Sequence, residues 1–444
     1  MKETIPSSRL EVGMFVAELD RPWLGTPFLL EGLLIEDATQ IADLQKYCQS
    51  VTIDRSRSIG RHFATEAREK PAPRVGGVSP APAKVTVKVT PEPDEFPEVW
   101  RTLREKPTLD KVKRSPQTKP AVSGVDNQSK LEAELVYSAP IVDDVKRTLH
   151  SVRESVGKAI GKDIKEVSGL VSEMAESVQR NPDAMIWLTR LRTSDEYSYD
   201  HAVDVSVHLM VLARFLGMPI KTVELLGLVG LMQDVGKVNI PEAVLSKTEP
   251  LTNEELAVVQ SHVGSSMQML LGHAEFSYEA LNIVGSHHER HDGTGYPRRI
   301  QGGKLNLNAE LSGLIDTYCA LTRQRSYCSA VSSQKALEKL ITMRDTKFRG
   351  AIVDQLIQCV GLYPIGTLIE LNSGEVGVVI QQNQVRRLKP RVMIVLAPDK
   401  SVERRPRTVD LILDPPTATG EPYRIVRSLP ADSYGIDPSE FYIA

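Results

Sequence analysis

Aromatic residues are scarce, at 5% of the chain, and no basic stripe is interleaved with them. That removes the stacking platform a nucleic-acid polymer would need. Net charge is nearly absent as well: 54 Lys and Arg face 57 Asp and Glu, for a balance of −3. No bulk field therefore recommends nucleic acid or a membrane surface as partner. Cysteine is limited to Cys48, Cys319, Cys328 and Cys359, scattered without CxxC spacing. This excludes a zinc knuckle or disulfide frame and reads as reduced thiols in a cytoplasmic protein. The opening MKETIPSSRLEVG lacks the apolar stretch of a secretion signal, and no apolar run reaches the ~18 residues of a membrane span.

What is present is a sequence whose periodicity changes along its 444 residues. Residues 1–64 read as a small α/β module of regulatory type, with strand-like runs at 10–19, 27–30 and 51–53 and a helix from Asp37 to Tyr47. Residues 65–130 are rich in Pro, Lys, Glu and Ser and read as a linker, in which Phe96-Pro97-Glu98-Val99-Trp100 stands out as a docking piece. From 131 to 361 the period is helical. An apolar stripe from Val142 to Val178 suits either a long helix on its own domain or the seam of a homodimer. Helices are expected at 200–216, 221–234, 252–271, 276–288, 308–322, 332–343 and 348–361. Thr252 to Glu255 has capping-box spacing, and Gly217 stands where a helix stops. From 362 to 444 the period becomes two, with strands at 367–371, 375–380, 391–396 and around 409–413. The fold class is therefore mainly α, with a small N-terminal α/β module and a small C-terminal β module.

Chemistry concentrates in the helical part. Seven of the nine histidines lie between His201 and His291. In HHERHDGTGYP (His287–Pro297), two adjacent imidazoles end an apolar run and a Gly/Pro loop follows. Neighbouring side chains on a helix diverge by about 100°, so both reach one ion only where the helix ends or bends. His201, Asp234, Lys237, His262, His287, His288 and Asp316 are polar residues in otherwise apolar helical surroundings. An isolated buried carboxylate such as Asp316 is expensive, and the helix before Asp234 has almost no polar face. Imidazoles mixed with carboxylates suit iron, manganese, zinc or nickel. The set exceeds what one four-coordinate ion needs, and paired ions are the chemistry of phosphoester hydrolysis. His208 reads as a supporting or packed residue, and His273 and His291 as non-ligands.

The segments HAVDV (His201–Val205), QDVGK (Gln233–Lys237), His262, HHExxDGxGYP and DxYxALTxxR (Asp316–Arg325) resemble the signature of HD-GYP proteins, a bacterial branch of the HD phosphohydrolase superfamily. The resemblance implies an all-helical HD-type domain that hydrolyses cyclic di-GMP at a two-metal or three-metal site often containing iron or manganese, and two divalent ions, iron or manganese, are expected here. It implies metal ligation by His201, Gln233, Asp234, His262, His287, His288 and Asp316, with Asp234 shared between the ions. It further implies phosphate contacts from Lys237 and Arg325, catalytic roles for Asp234 and Lys237, and a pocket wall of Gly295, Tyr296 and Pro297 that also meets partner proteins. The sequence departs from the family at Gln233, which stands where the family has histidine, and at Cys319 and Cys328, which replace an acidic and a basic residue. A working, attenuated phosphodiesterase is the main expectation. A member that binds cyclic di-GMP or a protein without hydrolysis is the alternative.

Overall fold

The structure, a computed structural model, describes residues 2–11, 14–20, 33–35, 38–54, 96–98, 119–120, 122–123, 128–154, 160–191, 197–323, 331–383, 386, 388–429 and 433–435. They fall into two compact units, Met1–Pro93 and Asp94–Ala444. No helix among the described residues is long and apolar enough to cross a membrane.

In the first unit, β1 (Lys2–Pro6), β2 (Phe15–Leu19), β3 (Leu33–Leu34) and β4 (Ser50–Asp54) form an antiparallel sheet in the order β1-β4-β2-β3. Helix α1 (Ala38–Tyr47) adds Leu44 to a core of Ile5, Val16, Ile35, Val51 and Ile53. β2 is shorter than the run expected from residue 10, and β1 was not expected. Its sequence KETIP holds one strongly apolar residue, so pairing with β4, from Lys2↔Asp54 to Pro6↔Ser50, makes it a strand rather than its own pattern. The run at 27–30 lies outside the described residues.

The second unit is mainly helical. The apolar stripe from Val142 to Val178 is not one long helix but two, α2 (Leu131–Glu154) and α3 (Gly161–Arg180). Ser138 meets Ser177 at 2.7 Å, Thr148 meets Glu166 at 3.2 Å and Ser151 meets Asp163 at 3.1 Å, a descending series that makes the pair antiparallel. Val142, Val145, Val167, Val171, Met174 and Val178 are all at most 1% exposed, so the chain's own packing covers the stripe that offered a dimer seam. The buried Glu134 carboxylate accepts from Arg180 through two bonds of 3.0 and 2.8 Å, closing the open end of the hairpin.

Helices α4 (Pro182–Leu191), α5 (Tyr197–Phe215), α6 (Ile220–Met232), α7 (Glu242–Leu245), α8 (Asn253–Gln260), α9 (His262–Leu270), α10 (Tyr278–Val284), α11 (Leu307–Thr322), α12 (Ser333–Thr342) and α13 (Gly350–Val360) follow. α6 is the buried centre, with Val223, Leu226, Leu228, Val229, Leu231 and Met232 all inside. The capping box at Thr252 forms as the spacing implies, and Gly217 adopts φ +69° just past α5. The helix expected at 252–271 breaks at Ser261, and that expected at 276–288 stops at Val284.

The C-terminal strands form one antiparallel sheet in the order β8-β7-β6-β5-β9, where β5 is Leu368–Leu371, β6 Val376–Gln381, β7 Arg391–Leu396, β8 Val402–Asp410 and β9 Ile425–Ser428. One face shares the helical core: Val376, Val378, Ile380, Met393 and Val395 cluster with the helices, and the Trp187 indole donates to the Ile380 carbonyl. The last strand expected, at 409–413, is displaced. Residues 411–413 form a 3-10 turn, while β8 lies earlier in VERRPRTVD. Pro406 and three arginines hide a strand that, at the sheet's edge, needs neither alternation nor every amide. Phe96, in the stretch expected to link the domains, is buried in this unit, 5.8 Å from the Trp187 ring and 6.0 Å from the Arg391 guanidinium. Residues 65–95 lie outside the described residues.

Candidate metal centre

Five chain segments converge on one pocket. α6 ends at Met232 and delivers Gln233 and Asp234 at its inner end, where a 3-10 turn over Val235–Asn239 begins. Gly236 makes that turn fit, because a Cβ there would lie 2.4 Å from the His262 carbonyl and from the Ser266 amide. The break at Ser261 makes His262 the first residue of α9, with its ring turned back toward Asp234. α10 ends three residues before His287, so the paired imidazoles occupy a turn and their ring centroids lie 4.1 Å apart. His201 comes from α5 and Asp316 from α11, and their side chains meet at 2.9 Å.

Two groups of donors result, and they share one carboxylate. Ligand atoms of Asp234, His262, His287 and His288 all lie within 4.8 Å of one another, as do those of His201, Asp234 and Asp316. In the first group Asp234 Oδ1 lies 3.2 Å from His262 Nε2 and 3.8 Å from His287 Nε2. None of these three buried atoms has a hydrogen-bond partner. The tautomers explain why. His262 Nδ1 lies 2.6 Å from the Val259 carbonyl and His287 Nδ1 2.7 Å from the Val284 carbonyl. A carbonyl only accepts, so each Nδ1 carries a proton, and in the neutral ring Nε2 presents a lone pair. Burial lowers the His287 pKa to about 4 and pushes His288 well below the ordinary histidine value, so neither ring answers Asp234 with a proton at neutral pH.

Lone pairs facing a carboxylate in a buried site require a cation, and the donor set fits a divalent transition metal. The backbone-anchored Nδ1 atoms are the outer support such ligands ordinarily have. The carboxylates are ready for one. Burial alone would raise Asp234, but the Lys237 ammonium at 2.6 Å holds it well below the usual range. Asp316 is likewise held far down by His201 against the cost of burial.

The Gly-Tyr-Pro segment forms one wall. Tyr296 stacks on His288 with centroids 4.7 Å apart and an interplanar angle of 24°, and its amide donates to the His288 carbonyl at 3.2 Å. Gly295 is required by closeness, since a Cβ would fall 2.4 Å from the Arg290 nitrogen. Pro297 lies beyond at the exposed tip. Glu289, which sequence reasoning passed over, locks this wall: it is 1% exposed and accepts from the amides of Arg298 at 2.7 Å and Ile300 at 2.9 Å. Its position beside the histidine pair was the available signal.

Gln233 is 1% exposed; its carbonyl oxygen accepts from Ser312 at 2.5 Å, and its amide nitrogen has no partner. Lys237 sits against Asp234, within reach of the pocket. His208 stands apart from both groups, its Nδ1 2.8 Å from the Asp204 carbonyl. Arg325 and Cys328 lie outside the described residues.

Comparison with known proteins bears on this pocket. Residues 175–352 match the family described as HD domain, and residues 2–182 match a domain of unknown function, DUF3391. The chain is 30% identical to a cyclic di-GMP phosphodiesterase of Pseudomonas aeruginosa over 438 residues, which is 98% of this chain and 94% of the relative. It is 31% identical to a cyclic di-GMP phosphodiesterase of Vibrio cholerae over 43% of this chain and 44% of that relative. Among solved structures, the HDG"Y"P protein Bd1817 from Bdellovibrio bacteriovorus aligns with 80% of this chain and 98% of its own, at 16% identity and a TM-score of 0.43.

Proposed function

The chain belongs to the HD-GYP branch of the HD superfamily, and on that footing we propose that its pocket hydrolyses cyclic di-GMP with two divalent ions, iron or manganese. The observation that carries the proposal is the convergence of Asp234 Oδ1, His262 Nε2 and His287 Nε2, three buried atoms left without hydrogen-bond partners. Asp234, His262, His287 and His288 would hold one ion, and His201, Asp234 and Asp316 the other. Ions bound there would neutralise charge on the phosphodiester and lower the pKa of the attacking water.

The chain's own groups supply the rest. Lys237 is half-buried and presents an ammonium at the rim of the shared carboxylate, where a phosphate oxygen would lie. The stacked pair His288 and Tyr296 shields one side of the pocket from water, and the Glu289 clamp keeps the wall from moving. Arg325 is assigned a second phosphate contact by its place in the motif. The loop of Gly295, Tyr296 and Pro297, with Pro297 exposed, would be the face met by a protein partner.

The test is turnover of cyclic di-GMP by the full chain under anaerobic loading with Fe²⁺ or Mn²⁺, with a mixed guanine-adenine cyclic dinucleotide as comparator. Metal-dependent release of the linear dinucleotide or GMP is expected. Binding without release under either ion would overturn the hydrolase reading in favour of a receptor.

A further inference from the structure

The two donor groups are unequal, and the cause lies in Gln233. One gathers four donors and the other three, His201, Asp234 and Asp316. Gln233 is the residue placed to complete the smaller group. It directly precedes the shared carboxylate, it is buried, and it touches Ser312, which lies one turn before Asp316 on the same face of α11. An amide carbonyl oxygen is a serviceable ligand for a hard ion. Here that oxygen accepts from the Ser312 hydroxyl at 2.5 Å. Oxygen and not nitrogen faces the serine. The amide NH₂ is the end that remains, buried and without a partner. An amide nitrogen offers no lone pair and can only donate.

We propose that Ser312 turns Gln233 away from ligation, so that the His201–Asp234–Asp316 position is a three-donor site whose ion exchanges readily, while the position at Asp234, His262, His287 and His288 keeps its ion. The inference rests on the two-ion reading of the pocket. The chemistry of the two positions differs accordingly. Three imidazoles and one carboxylate favour iron or zinc at the firm position. Two carboxylates and one imidazole at the loose one favour manganese and other oxygen-loving ions.

The experiment loads the full chain with Mn²⁺ alone, dialyses it against graded chelator and measures ions per chain by elemental analysis, with circular dichroism to confirm folding. The wild-type chain should release its ions in two steps, about 10- to 100-fold apart in affinity. Gln233→His and Gln233→Glu place an imidazole or a carboxylate at the missing position, and each should merge the two steps by strengthening the weaker one. Ser312→Ala, which frees the amide oxygen to turn, should move the weaker step in the same direction by a smaller amount. Release of both ions from the wild type in a single step, or two folded Gln233 variants indistinguishable from it, would overturn the inference while leaving the two-ion reading intact. A wild-type chain and variants that hold no Mn²⁺ at any chelator level would instead remove the two-ion reading, and the inference with it.

Discussion

Two buried polar clusters share helix α5, and they are built on opposite principles. Asp200 and Asp204, four residues apart on one face, meet two cations: Lys146 pairs with Asp200, and Arg323 pairs with Asp204 and reaches Asp200 at 3.3 Å. Arg323 also donates to the Thr189 carbonyl at 3.1 Å. His201, next to Asp200 in sequence but rotated to another face, joins the second cluster at Asp316. There the described groups include two carboxylates, one ammonium and lone-pair nitrogens aimed at Asp234. The first cluster closes its charge with its own side chains. The second does not, and it leaves buried acceptors facing one another. Charge closure, more than burial, separates a cluster that holds helices together from one that waits for a ligand.

The comparison breaks most visibly at Asp234. Asp234→Asn keeps the shape of the side chain and removes the carboxylate common to both donor groups. Loss of ions from both positions is expected, with turnover falling at least ~10³-fold, equivalent to about 4 kcal/mol of barrier. Steady-state rates and elemental analysis on the same preparation check it. Full ion content in the variant would mean that the orphaned atoms are not ligands.

The other cluster should respond in stability and not in ions. Removing one partner of a buried ion pair strands the other, so Arg323→Met should cost about 3–5 kcal/mol. Urea unfolding measures that loss, and ion content per folded chain should stay at the wild-type value. A fall in ion content without a fall in stability would show that the clusters act as one.

Much of the ion pocket could be read beforehand because its evidence is local. Paired imidazoles at a helix end, a carboxylate closing an apolar helix and a loop of Gly, Tyr and Pro each carry their meaning within a few residues. The pairing implied a helix end or bend near the two imidazoles, but the stop at Val284, short of the 288 expected, was not legible. Phe96 was legible as an apolar island in a polar stretch. The closed cluster was not legible, since Arg323 lies 119 residues from Asp204 and an arginine after a helix is ordinary surface on its face. The division of the stripe into α2 and α3 was hidden because the apolar spacing continues on both sides of the bend. The part played by Gln233 was readable only as a substitution; that Ser312 holds its oxygen is a matter of packing between the end of α6 and the interior of α11.

The smallest expected effect sharpens the comparison through pH. Burial lowers the His287 pKa to about 4, against an unfolded value near 6.5, and His288 is lowered as well. A histidine kept neutral in the folded chain contributes stability that is present above the unfolded pKa. As pH falls from about 6.5 toward 4, the unfolded chain takes up a proton that the folded chain refuses, and the contribution is lost. For His287 the difference amounts to about 3 kcal/mol once the pH is below both values. Asp234 and Asp316, held below the usual carboxylate range, lose their contribution only at still lower pH, outside this window. Arg323, raised above its ordinary value by Asp204 and Asp200 despite burial, keeps its charge throughout, so the closed cluster adds no arginine titration there. Urea midpoints of the ion-free chain should therefore fall between pH 7 and pH 4.5. His287→Gln should flatten part of that fall, whereas Arg323→Met should already lower the midpoint at pH 7, where the imidazoles are neutral in both chains. A wild-type midpoint that stays level from pH 7 to pH 4.5 would mean that the imidazoles are not kept neutral by burial, and that Asp234 is answered by protons already in place.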